Sequence, residues 1–177
     1  LDDIENEVLR FLDIDTSIKK DRSKMYQKAL VGSIEKGIEL EFLDERLKDF
    51  DLERLGKTIK QKNDLNFTFL GLQTLYDRYF ITHEDTRYEM PQVFLMRVAM
   101  GLSIDEKDKN DKAEEFYKLL SSFDYMSSTP TLFNSGTRRP QLSSCYLTTV
   151  PDDLSGIYGA IHDNAMLSKW AGGLGND

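Results

Sequence analysis

Cysteine is almost missing from this sequence. Of 177 residues only Cys145 carries a thiol, so no disulfide framework holds the chain together. A length of this order buries an adequate core without one. Histidine is nearly as scarce: His83 and His162 stand far apart, with neither the HxxxH spacing nor the carboxylate pattern that metal ligands usually show. Neither is assigned to a metal. No apolar run approaches the roughly 20 residues that a membrane helix requires, and no charged-then-apolar leader opens the sequence. Basic charge is outnumbered, 23 Lys and Arg against 31 Asp and Glu, and the net charge of -8 disfavours nucleic-acid backbone and anionic lipid as partners. Internal repeats and low-complexity tracts are also absent, which excludes a solenoid. The expectation is an acidic, cytoplasmic globular protein with no membrane and no nucleic-acid partner. Nucleotides stay within reach, because backbone N–H groups and one or two cations can hold an anion locally.

What is present is unevenly distributed. Only eight charged residues follow Ser121, and this shift sets an expected boundary between a helical domain, residues 1–121, and a second region, residues 122–177. Helical periodicity runs through the first part. Ile4, Val8, Leu9, Phe11 and Leu12 share one face, and Tyr26, Ala29, Leu30, Ser33, Ile34 and Gly37 share the next. Shorter segments follow at 42–48 and 52–59, then a helix over 69–79 with Leu72, Leu75, Tyr76 and Tyr79 at spacings of three and four. Pro91 suits the first turn of a helix that continues through the apolar residues 93–101. Residues 104–110 form a charged connector, and Asp111 is the expected cap of a helix through Phe116, Tyr117 and Leu120. The many Tyr and Phe in these helices fall at core spacings and receive no chemical role.

From Ser127 the period changes. Thr131-Leu132-Phe133 reads as a short extended piece, Asn134-Ser135-Gly136 as a turn, and residues 144–150 as a strand closed by Pro151. Asp152, Asp153 and Ser155 offer N-cap oxygens to a helix over about 156–169, with Ile157, Ile161, Ala165 and Ser168 on one face. Strand, loop, helix and glycine-rich turn make an α/β unit.

Cys145 is the one sulfur nucleophile. A lone cysteine in an apolar strand is more often a small buried hydrophobe than a reactive group. Here, however, Ser143 and Ser144 precede it, and Thr129, Asn134, Ser135 and Thr137 lie in adjoining turns, a supply of hydroxyls and amides suited to a sugar or phosphate. The run Ala171-Gly172-Gly173-Leu174-Gly175 follows a helix instead of opening one, so it is neither a P-loop nor a dinucleotide fingerprint. Two readings stay open for it: a helix stop, or bare backbone against which a ligand lies closely. Asp153 alone reads as a cap, and Lys169 as a favourable cation in a last helical turn.

Two segments carry a resemblance. The stretch PTLFNSGTRRPQLSSCYLTTVPDD followed by SKWAGGLGND resembles the first active-site segment of the large, catalytic subunit of class I ribonucleoside-diphosphate reductases. Residues 65–79 (LNFTFLGLQTLYDRY) and 91–99 (PQVFLMRVA) are similar to that family's helical N-terminal region, so the likeness covers most of the chain from about Tyr26 onward. The chain opens on Leu1 and stops at Asp177, just past the glycines, which reads as part of a longer protein.

The resemblance implies a mainly α chain in which a helical N-terminal domain leads into the first strand and helix of a ten-stranded α/β barrel. It implies thiyl-radical removal of a ribose 2′-hydroxyl, with Cys145 as the first of a redox cysteine pair. Thr129, Ser144 and Gly172 fall where the family binds the nucleoside diphosphate. Asp153, Leu154, Ser155 and Lys169 match its deoxynucleotide specificity site, which lies at a homodimer interface. The implied partners are a small subunit holding the metal and radical, thioredoxin or glutaredoxin as reductant, and ATP or deoxynucleotides as effectors. No cofactor is expected in this chain. The sequence lacks a second cysteine, so an isolated chain is expected to be inactive; it also lacks a Val-x-Lys-Arg-type start of an ATP cone, so no overall on-off regulation is read from these residues. A nucleotide-binding or assembly module without its own turnover is the alternative.

Overall fold

A computed structural model describes residues 1–169 and 172–177. Trp170 and Ala171, both within the glycine-rich motif of the sequence, lie outside the described residues. The chain divides into two compact units, Leu1–Pro140 and Gln141–Asp177. The composition shift at Ser121 therefore falls inside the first unit, and residues 122–140 belong to its helical body.

The first unit is a helical assembly in which local capping and one apolar stripe per helix agree. Helix α1 (Asp2–Phe11) begins with Asp2, Asp3 and Glu5 and ends with Arg10, charges that complement its dipole. It buries Ile4, Val8 and Leu9. Helix α2 (Arg22–Glu39) starts where the Asp21 side chain accepts from Lys24 N, and it buries Met25 together with all six residues of the expected stripe. Ser33 is tolerated on that stripe because its hydroxyl donates to Tyr88 O, 2.6 Å. Helix α3 (Leu52–Thr58) is capped by Asp51 and helix α4 (Phe69–Arg78) by Thr68. Three short 3-10 turns, Thr16–Lys20, Glu45–Asp49 and Gln61–Asn66, join these pieces.

Helix α5 (Pro91–Ser103) is the centre. Residues 91–100 are all buried, as expected of a helix that is apolar on every side. Helix α6 (Lys109–Ser122) covers it with Ala113, Tyr117 and Leu120. The expected cap, Asp111, is instead inside the first turn of α6, where its carboxylate pairs with Arg54. Acidic residues favour both positions, which is why the sequence did not separate them.

Two further differences come from chain chemistry. Residues 131–133 are not extended: they belong to a helix, α7 (Thr129–Asn134), because Pro130 fits a first turn and Leu132 N bonds Ser128 O at 3.1 Å. The turn after it is as read, with Gly136 at φ +78°. Between α4 and α5 a two-residue hairpin, β1 (Thr82–His83) and β2 (Thr86–Arg87), turns through Glu84 and Asp85, both at positive φ. No glycine marks that turn in the sequence.

A polar cluster sits inside the helical unit. The Asp64 carboxylate accepts from Tyr26 Oη, Gln92 Nε2 (3.0 Å) and Arg22 Nη2 (3.4 Å). Burial pushes its carboxyl above the ordinary value, against the pull of those donors. Tyr117 extends the cluster by donating to Gln92 Oε1 (2.8 Å) and accepting from Lys60 N (3.0 Å), and burial raises its phenol to about 12.

The second unit is a strand, helix, strand. Strand β3 (Cys145–Thr148) pairs in parallel with β4 (Gly173–Asn176), and helix α8 (Leu154–Lys169) connects them. The glycine run is thus largely a strand and not a helix stop. The reason is local crowding. A Cβ at Gly173 would stand 2.9 Å from the backbone oxygen of Ser144, which cannot yield as a side chain can, so glycine at that position lets β4 lie this close to β3. Helix α8 opens two residues earlier than expected. Its expected apolar face is largely uncovered within this unit: Ile157 and Ile161 are exposed and Ala160 is its buried residue.

Candidate functional site

The register of the parallel pair sets the geometry around the thiol. Cys145, the first residue of β3, stands opposite Gly173, and Ser144 O accepts from Gly173 N. The Cys145 side chain is exposed, with Ser144 Oγ 3.7 Å from its sulfur. Tyr146 Oη donates back to Ser143 O at 3.1 Å, which fixes the approach to the strand. Gly172 N bonds Leu167 O at 3.0 Å, and a Cβ on Gly172 would meet both that oxygen and the Tyr146 ring at 3.0 Å. The arrangement therefore gathers Ser144, Cys145 and Gly172 at one end of the unit: a thiol, a hydroxyl and a stretch of backbone without side chains. The cysteine is not a small buried hydrophobe in this unit, because β3 opens with its side chain toward solvent.

The other end of the unit is built by Asp153. Its Oδ1 accepts from Gly156 N (2.9 Å) and its carbonyl from Ile157 N (2.9 Å), making it the N-cap of α8. Pro151 packs where any side chain on Gly156 would go. Leu154 and Ser155 form the exposed first turn, and Lys169 is the last residue of the same helix. Sixteen helical residues span roughly 24 Å. Asp153, Leu154 and Ser155 are thus together, whereas Lys169 stands at the opposite end of the helix.

Thr129 lies in the helical unit, at the start of α7. Its Oγ1 is 3.1 Å from Tyr79 Oη, and the Tyr79 ring stacks on Phe133 with centroids 4.5 Å apart. The far end of α7 is tied down by Arg97. This guanidinium, 0% exposed, donates through Nη1 to the carbonyls of Leu132 (3.2 Å) and Ser135 (2.8 Å) and through Nε to Glu89 Oε1 (2.9 Å). Ser135 Oγ adds a bond to Val98 O, and Gly136 lies so close to Gly101 that a Cβ there would be 2.0 Å from its nitrogen. Sequence reasoning missed Arg97, Glu89 and Tyr79. The available signal was one arginine inside the otherwise apolar run 93–101, since a buried charge requires a partner.

The histidines serve packing or solvent. His83 meets Phe11 and Phe42 edge-on at 6.2 and 6.0 Å, and His162 is exposed beside Asp163. Among the described residues no three His, Cys, Asp or Glu side chains gather as metal ligands, and no helix is long and apolar enough to cross a membrane.

Comparison with known proteins bears on this geometry. Residues 65–140 match the family model described as ribonucleotide reductase, all-alpha domain, a match that ends where the first compact unit ends. The chain is 60% identical over 128 residues to the ribonucleoside-diphosphate reductase subunit alpha of Chlamydia trachomatis, covering 72% of this chain and 12% of that protein. It is 45% identical over 129 residues to subunit alpha of Helicobacter pylori, covering 72% of this chain and 16% of the relative. With the large subunit of Plasmodium falciparum it shares 43% identity over 124 residues, 70% of this chain and 15% of that one. The chain thus spans well under a fifth of the length of the relatives it matches.

Proposed function

Because this chain belongs to the ribonucleoside-diphosphate reductase large-subunit family and corresponds to a region of that subunit, we propose that it works in the reduction of ribonucleoside diphosphates to 2′-deoxyribonucleoside diphosphates for DNA synthesis, with Cys145 as half of the redox dithiol. The observation that supports this most is the exposed thiol of Cys145 beside Ser144 and opposite backbone that carries no side chain. In the balanced step the ribose 2′-hydroxyl leaves as water. Two thiols lose two protons and two electrons and close to a disulfide, and the sugar carbon gains hydrogen in place of oxygen. One sulfur cannot do this alone, and this chain holds one. The second cysteine, the radical cysteine and the rest of a ten-stranded barrel therefore come from polypeptide beyond these residues.

Thr129, Ser144 and Gly172 hold the substrate in this reading, the hydroxyls by hydrogen bonds and the glycine by close backbone approach. Asp153, Leu154, Ser155 and Lys169 belong to a deoxynucleotide specificity site. Since the two ends of α8 stand roughly 24 Å apart, one copy of the helix cannot close them on a single nucleotide. A second copy in a homodimer brings complementary ends together. A small subunit supplies the metal and radical, thioredoxin or glutaredoxin resets the dithiol, ATP and deoxynucleotides act as effectors, and the cytoplasm is the compartment. The test is deoxynucleotide formation by the full-length subunit with its small subunit and a dithiol reductant. Cys145→Ser is expected to abolish multiple turnover while substrate still binds, and undiminished turnover by that variant refutes the assignment. A second reading, a nucleotide-binding or assembly module without turnover, draws on the exposed Leu154, Tyr158 and Ile161 of α8. It gains ground if the chain binds a nucleotide or a complementary polypeptide and the mixture never turns over.

A further inference from the structure

We propose that Tyr79 is a positioning residue for the substrate, acting through Thr129; this rests on the reading of Thr129 as a substrate-binding residue. The two hydroxyls are 3.1 Å apart, and either atom can be the donor in that contact. A phosphate oxygen removes the ambiguity, since it only accepts. Thr129 has a single O–H, so when it donates to a diphosphate oxygen the Tyr79 contact must be filled by the tyrosine proton. Tyr79 then holds the threonine rotamer and polarises its hydroxyl toward the anion. The tyrosine is well placed for this task. It is the residue that ends α4, its Oη is reached by Thr129 at the first position of α7, and its ring is fixed by stacking on Phe133, one helical turn further along α7. The opposite end of α7 is immobilised independently, by the Arg97 bonds to Leu132 O and Ser135 O. With the far end of the short helix locked, the remaining freedom at Thr129 is the rotation of its own side chain, and Tyr79 restricts that.

The experiment measures KM and kcat for a nucleoside diphosphate in the full-length subunit with its small subunit, for Tyr79→Phe, Thr129→Val and the double variant, together with melting temperatures. Tyr79→Phe keeps the stacked ring and removes only the hydroxyl. Losing one hydrogen bond of this kind corresponds to roughly a three- to tenfold rise in KM, with kcat and melting temperature little changed, and no further rise is expected when Tyr79→Phe is added to Thr129→Val. If Thr129→Val raises KM and Tyr79→Phe does not, or if the two effects multiply, Tyr79 does not act through Thr129 and the inference is overturned while the substrate role of Thr129 stands. A Tyr79→Phe variant that melts lower at unchanged KM overturns it as well, since Tyr79 is then only structural. If Thr129→Val leaves KM unchanged, the substrate role of Thr129 itself fails and the inference falls with it.

Discussion

Replacing Arg97 with methionine tests how α7 is held. The guanidinium is fully buried, and its partner Glu89 is 1% exposed. Two of the bonds run to the carboxylate, Nε to Oε1 at 2.9 Å and Nη2 to Oε2 at 3.2 Å, and Nη1 serves the carbonyls that end α7. Methionine fills similar volume and supplies none of these donors. Glu89 would keep one, Ile81 N at 2.9 Å, and its charge would be left in an apolar interior. Breaking a buried pair in this way costs about 3–5 kcal/mol, a large part of the roughly 5–15 kcal/mol that stabilises a typical domain. At about 2–4 °C per kcal/mol for a chain of this size, the melting temperature should drop by roughly 6–20 °C. The assay is urea and thermal denaturation of the chain followed by its helical circular dichroism. Because the cost is mainly the stranded charge, adding Glu89→Gln to Arg97→Met should restore part of the loss. A single variant that loses less than about 1 kcal/mol, or a double variant no more stable than the single, would refute the reasoning.

Other perturbations separate the remaining elements. Gly101→Ala places a Cβ 2.0 Å from Gly136 N and 2.6 Å from Ser135 C; since backbone cannot yield like a side chain, destabilisation at or above the roughly 1–3 kcal/mol of ordinary overpacking is expected in the same denaturation assay. Asp153→Ala removes the acceptor of Gly156 N, and a loss of about 1 kcal/mol should appear as faster amide exchange in the first turn of α8. Asp64 gives a pH signature. Its folded pKa is raised by burial, so it binds its proton more tightly folded than unfolded; its stabilising contribution is fully present below the unfolded value of roughly 3.9 and is lost as pH rises through the raised value. Asp64→Asn should flatten that part of the stability profile, and an unchanged slope would contradict the assignment.

The sequence carried most of the helical unit because its signals were periodic and redundant. All six residues of the α2 stripe are buried and Pro91 opens α5; in the second unit, Asp153 caps α8 as read. What escaped has no local signal. Helix α7 is six residues long, too short for periodicity, and only Pro130 hints at it. Strand β4, Gly-Leu-Gly-Asn, has glycine at every second position and only one apolar side chain to read; it pairs with β3 alongside. The β1–β2 turn uses Glu84 and Asp85 at positive φ without a glycine. The SSCYL and GGLG segments pointed to candidate residues one by one, but not to their geometry. The exposed thiol, the distance between Asp153 and Lys169, and the Tyr79 contact to Thr129 depend on register, helix length and long-range packing.

The role of Cys145 is tested most directly by a single turnover without added reductant. The fully reduced full-length subunit, with its small subunit and a nucleoside diphosphate, is quenched in acid, alkylated and mapped by mass spectrometry. Cys145 is expected in a disulfide with a cysteine from beyond Asp177, in step with the deoxynucleotide formed. Product formation with Cys145 recovered entirely as an alkylated thiol would contradict its place in the dithiol.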